Sequence, residues 1–108
     1  MPELVKVAAV QMNPRIGENR YNLEHILGET RAASDSGAAL IVFPECALTG
    51  YVFSSREEAM EVAEESPGRS VETLEALCRE TGAHLVFGLL EKDGINCYNT
   101  AVLLGPGG

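Results

Sequence analysis

Glu45 is the side chain of this 108-residue chain best placed to do chemistry. It follows Leu40-Ile41-Val42-Phe43, an unbroken apolar run with the β-branched and aromatic content of a strand buried on both faces. Pro44 then ends the ladder pairing. A carboxylate just beyond the carboxyl end of such a strand stands where open α/β sheets place their reacting groups. Desolvation there would raise its affinity for a proton toward the neutral range that a general base needs. The plain alternative at the same position is a solvated loop acid.

The other candidate groups are weaker. Cys46, Cys78 and Cys97 are odd in number and show no CxxC spacing, so they read as reduced thiols rather than a disulfide framework or zinc site. Cys46 follows Glu45 directly, and successive side chains of an extended backbone point to opposite faces, so the two are not expected to meet. It reads as a small buried hydrophobe, and Cys78 and Cys97 as packing residues of a helix and a strand. Lys6 lies inside the first strand with its head snorkelling outward, and Lys92 falls in a hairpin turn. His25 lies opposite an apolar helix stripe and His84 marks a strand entrance, neither with a metal partner nearby in sequence. No metal and no cofactor are expected. Tyr51 follows the Thr49-Gly50 turn, where its ring either lines a substrate pocket or packs beneath the Glu45 loop. Phosphate-cradling glycine motifs are absent from the sequence.

The elements that must position these groups follow from periodicity. Leu4 to Met12 predicts a largely buried first strand, and Asn13 to Gly17 a loop. Asn19 is placed to cap a helix whose Leu23, Ile26, Leu27, Thr30 and Ala33 share one face, ended by Ser36-Gly37. With the strand at Leu40 this forms a βαβ unit with parallel strands. Ser54-Ser55 starts a short helix whose acids Glu57, Glu58, Glu61, Glu64 and Glu65 form a solvated face, stopped by Ser66-Pro67-Gly68. Ser70 caps the next helix, which turns Val71, Leu74, Leu77 and Cys78 inward and ends at Gly82. Leu85 to Leu90 is a buried strand, Lys92-Asp93-Gly94 a hairpin turn, and Cys97 to Leu104 the returning antiparallel strand. Gly105 to Gly108 has turn chemistry.

Composition narrows the function classes. With 45% hydrophobic residues the chain can build one globular core. A net charge of −8, with eight Lys and Arg scattered rather than clustered, argues against a nucleic-acid partner or an anionic membrane surface. No stretch has a membrane span's apolar length, and Met1 to Lys6 lacks the layout of a signal peptide, so a cytoplasmic location is expected.

Phe43-Pro44-Glu45, followed by Leu48-Thr49-Gly50-Tyr51 and preceded by the Val7-Ala8-Ala9-Val10-Gln11-Met12 strand, resembles the start of the nitrilase superfamily, the carbon–nitrogen hydrolases. Asn19-Arg20-Tyr21-Asn22-Leu23 and Tyr98-Asn99-Thr100-Ala101 extend the likeness over essentially the whole chain. The resemblance implies an α/β fold, the N-terminal part of an αββα sandwich, with a mixed parallel and antiparallel sheet and flanking helices, so residues 1–108 are expected to be the N-terminal fragment of a hydrolase domain. It also implies a Glu-Lys-Cys triad in which Glu45 is the general base, while the lysine and the nucleophilic cysteine lie beyond this sequence. The function implied is cleavage of small amide or carbamoyl substrates, by a protein that forms homo-oligomers when intact, with the isolated chain inactive. A small non-enzymatic α/β binding module, in which Glu45 is structural, is the alternative.

Overall fold

In a computed structural model, which describes residues 4–108, three helices flank a four-stranded sheet. The strands are β1 (Val7–Ala9), β2 (Leu40–Val42), β3 (His84–Asp93) and β4 (Asn96–Leu104), adjacent in that order. β1, β2 and β3 run parallel and β4 returns antiparallel to β3, as the hairpin signal predicts. The helices are α1 (Asn19–Asp35), α2 (Arg56–Val62) and α3 (Arg69–Thr81). This is the mixed α/β sheet with flanking helices expected from the sequence. Among the described residues no helix is long and apolar enough to cross a membrane.

Alternation along each strand divides the sheet into two unlike faces. Ile41, Phe43, Leu85, Phe87 and Leu89 turn toward α1 and α3 and build the core with Ile26, Leu74 and Cys78. The other face is apolar but uncovered among the described residues. Ala9, Val42, Val86 and Leu103 are paired in one register row across all four strands of it, and Leu103 is 65% exposed. β1 departs from the expectation of a long buried strand: three residues pair, and Val7 is 55% exposed. Its position at the sheet edge, with only one face packed, is the reason.

Several caps differ from the expected ones. Glu18, not Asn19, precedes α1, and the Asn19 amide instead donates to the Val62 carbonyl at 2.8 Å and to Glu64 Oε2 at 3.1 Å. Gly68 precedes α3, and Ser70 lies inside it, donating its hydroxyl to Glu64 Oε2 at 2.9 Å. Glu64 is therefore not part of a solvated helix face. α2 stops at Val62, and Glu64 continues extended as a parallel bridge to Glu91 while its carboxylate accepts bonds from the starts of both α1 and α3. Ser55 does cap α2, accepting from the Glu58 N–H. Lys6 is exposed and donates to the Ser36 carbonyl at the end of α1, where a cation suits the helix dipole.

Asn22 is the polar pin of the fold. Fully buried, it accepts from the Arg15 N–H and donates to the Arg15 and Leu48 carbonyls, each at 2.8 Å, so one side chain ties two loops to α1. Asn22→Leu strands those groups without partners, and a loss of about 2–4 kcal/mol in unfolding free energy is expected from urea denaturation. A loss below about 0.5 kcal/mol, the range of ordinary surface substitutions, would show that the pin carries no weight.

Candidate active site

The site is built along the edge of β3 that β2 is too short to cover. β2 pairs with residues His84 to Val86, and beyond it the unpaired groups of β3 need partners. They are met in sequence by the loop that follows β2. The Phe43 N–H donates to the Val86 carbonyl at 2.8 Å, the Leu48 N–H to Gly88 at 3.1 Å, and the Thr49 hydroxyl accepts from the Leu90 N–H at 3.3 Å. Glu64 completes the row, donating to Leu90 and accepting from Lys92, each at 2.9 Å.

Inside this clamp, Pro44 to Gly50 forms a tight turn, with the Gly50 N–H on the Cys46 carbonyl at 2.8 Å. Gly88 permits it. A Cβ on Gly88 would lie 2.4 Å from the Cys46 nitrogen and 3.0 Å from the Glu45 Cα, so the Glu45–Cys46 peptide rests directly on the β3 backbone. Gly50, at φ +73°, lets the far end of the turn press on Ile16, whose Cα would lie 2.8 Å from a Cβ there. Cys46 itself sits at φ +50°, a left-handed conformation uncommon for a residue with a side chain.

That conformation overturns the expectation that Glu45 and Cys46 point apart. An extended backbone would separate them, but the left-handed turn brings both to Asn99 of β4. The Asn99 Nδ2 donates to Glu45 Oε1, and the Cys46 thiol donates to Asn99 Oδ1 at 3.6 Å. Glu45 itself is exposed, so the desolvation expected at a buried strand end is not supplied by the described residues. Two hollows flank it. One, of about 300 Å³, is lined by Phe43, Pro44, Glu45, Gly88, Asn99 and Ala101 among others. The second, of about 280 Å³, runs between Glu45 and Tyr51 along Met12, Pro14 and Ile16. Tyr51 is 53% exposed at its rim rather than packed beneath the loop.

The remaining candidates lie elsewhere. His25 is exposed and stacks on Tyr21, whose ring also carries the Arg15 guanidinium 3.8 Å from its centroid. His84 opens β3, Lys92 lies within β3 paired with Cys97 rather than in the hairpin turn, which falls at Gly94-Ile95, and Cys78 is buried on the core face of α3. Among the described residues no three His, Cys, Asp or Glu side chains gather as metal ligands would. Asn99 and Gly88 escaped the sequence reading as site residues. Their signals were a polar residue inside a strand whose neighbours on the same face, Ala101 and Leu103, are apolar, and a glycine interrupting an apolar strand.

The chain is similar to proteins of known family. Residues 6–108 match the model of the carbon–nitrogen hydrolase family. A nitrilase of Pyrococcus abyssi is 45% identical over 106 residues, which is 97% of this chain and 40% of that protein. The protein N-terminal amidase of Saccharomyces cerevisiae is 31% identical over 96% of this chain and 24% of its own length. The chain thus spans well under half the length of these relatives. A crystal structure of an N-terminal amidase superposes with a TM-score of 0.81 at 27% identity, over 95% of this chain and 26% of that one. An amidase from a Nesterenkonia species gives a TM-score of 0.72 at 26% identity, over 94% and 38%.

Burial, and after it the charge of Glu45, push the Cys46 thiol up, against a Thr49 hydrogen bond that favours the thiolate. A raised thiol holds less thiolate at neutral pH, and the thiolate is the form that reacts. Cys46 is therefore expected to be alkylated by iodoacetamide at pH 7.5 at least about tenfold more slowly than the half-buried Cys97, read by peptide mass spectrometry. Faster labelling at Cys46 would contradict the buried geometry. Gly88→Ala is expected to free the loop and remove that difference, at a cost of about 1–3 kcal/mol in stability.

Proposed function

The chain belongs to the carbon–nitrogen hydrolase family, and we propose that it is the N-terminal part of a hydrolase acting on small amides, with Glu45 as its general base. The observation that carries this reading is the placement of the Glu45 carboxylate. It stands past the end of β2, on the uncovered apolar face of the sheet, with a hollow on either side large enough for a small acyl group and its leaving amine. A solvated loop acid has no need of the glycine at position 88, the three-bond mooring of its loop, or an asparagine donor.

In the proposed reaction the Glu45 carboxylate takes the proton of a thiol, and the thiolate sulfur bonds to the carbonyl carbon of the substrate. The C–N bond then breaks, and the nitrogen leaves as amine after recovering the proton from Glu45. Water, giving its proton to Glu45, attacks the thioester; the C–S bond breaks, the acid is released, and the sulfur regains its proton. The thiol and a lysine that stabilises the oxyanion are, by resemblance to the family, contributed by residues outside these 108. Cys46 does not serve as that thiol, because it is buried and hydrogen-bonded to Asn99.

Tyr51 is assigned a substrate-contacting role at the rim of the second hollow, where it faces the same space as Glu45. An amide is preferred to a nitrile on the Leu48-Thr49-Gly50-Tyr51 sequence. The N-terminal amidases that share the fold include a structure holding an Asn-Glu peptide, which suits a carboxamide substrate here.

In the protein that carries this chain, Glu45→Gln is expected to lower kcat/KM for small carboxamides by about 10³-fold or more with little change in Tm, since Gln is isosteric. Ammonia release from a panel of amides and nitriles provides the measurement. Retention of wild-type turnover by Glu45→Gln refutes the assignment, and the 108 residues alone are expected to release no ammonia.

A further inference from the structure

An asparagine amide has one accepting and one donating end, and which way it faces is decided by its neighbours. Asn99 has two neighbours of opposite demand. The Cys46 thiol offers a proton and meets Oδ1 at 3.6 Å, while the Glu45 carboxylate only accepts and meets Nδ2. Turning the amide over would set Oδ1 against the acceptor-only carboxylate, a repulsive contact, while the thiol, a weak donor and a weak acceptor, would face Nδ2. The carboxylate therefore sets the amide with its donor toward Glu45, and the Cys46 thiol satisfies the accepting end.

The position is otherwise suited to an apolar side chain. Asn99 shares the uncovered face of β4 with Ala101 and Leu103, and asparagine is among the residues that strands disfavour. Glu45 is exposed, a glutamate side chain has several rotamers to lose, and a base used in chemistry must be held in one geometry. Among the described residues, Asn99 is the side chain that holds it.

We infer that Asn99 is the positioning residue for the Glu45 carboxylate, with its accepting end held by the Cys46 thiol. This rests on the reading of Glu45 as general base.

A double-mutant cycle in the protein that carries this chain tests it. Asn99→Leu is expected to lower kcat for amide hydrolysis by about 10–100-fold, the usual cost of losing a supporting hydrogen bond to a reacting group, while KM changes little. In the Glu45→Gln background the same substitution should add less than about twofold, because no carboxylate remains to orient. Equal losses in both backgrounds mark a merely structural asparagine and overturn the inference, as does a wild-type rate for Asn99→Leu. Cys46→Ser, which keeps a donor for Asn99 Oδ1, should be less impaired than Cys46→Ala; the reverse order overturns the thiol's part in holding Asn99. A readout free of turnover is the Asn99 side-chain amide resonance in nitrogen-15 NMR, which should move in both Glu45→Gln and Cys46→Ala and which counts against the inference if it stays in place. Should Glu45→Gln itself leave the rate intact, the base assignment fails separately, so the two failures are told apart.

Discussion

The site depends on one constraint: backbone groups on the edge of a strand cannot be left unpaired where the chain packs. β2 is three residues long and β3 ten, so most of the β3 edge lies beyond its neighbour. The loop from Phe43 to Thr49 supplies the missing partners, and in doing so it is laid along β3 instead of leaving into solvent. Glu45 is carried to its place by this requirement. The Glu45 side chain is exposed, but its loop is fastened by the backbone of Phe43 on one side and by the Leu48 backbone and the Thr49 hydroxyl on the other.

The helices serve the same end from behind. Asn22 binds Leu48 and Arg15 to α1, and Glu64 binds the starts of α1 and α3 to the outer stretch of β3. Both are buried or half-buried polar groups whose desolvation is offset by two or more hydrogen bonds, the condition under which such groups are tolerated inside a protein. Packing on one sheet face thus fixes the loop, and the loop presents Glu45 on the other. That second face, with its row from Ala9 to Leu103, is apolar and continuous with the hollow beside Glu45 and Asn99. In the proposed role such a placement suits Glu45, since water excluded from apolar surface on substrate binding strengthens every polar contact there.

Much of the architecture was legible from local pattern. The helical face of Ile26 and Thr30, the βαβ unit, the hairpin signalled by Lys92-Asp93-Gly94 and the position of Glu45 just past Pro44 all follow from periodicity and from residues that end elements. These features depend on neighbours within a few positions along the chain. The errors were of two kinds. Caps and a solvated acid are the commonest local roles of Asn19, Ser70 and Glu64, but Glu64 instead bonds Asn19, 45 positions away, and Ser70, six positions away. Local pattern predicts an extended Glu45-Cys46, while the turn places Cys46 in a left-handed conformation that no local signal announces.

The sequence by itself determined which residue types stand at the ends of which elements, and so where an acid, a tyrosine and the buried thiols fall along the chain. Only the tertiary structure decided which of them meet. Asn99 lies 54 positions from Glu45, and they touch because the β3–β4 register places Asn99 opposite Leu90, on the face where Gly88 admits the Glu45 peptide. A shift of one residue in that pairing would turn Asn99 to the helix side and leave the carboxylate without its donor. Register is set jointly by the hairpin turn and by the packing of alternate side chains against the helices, a global balance that the local pattern around Asn99 does not contain.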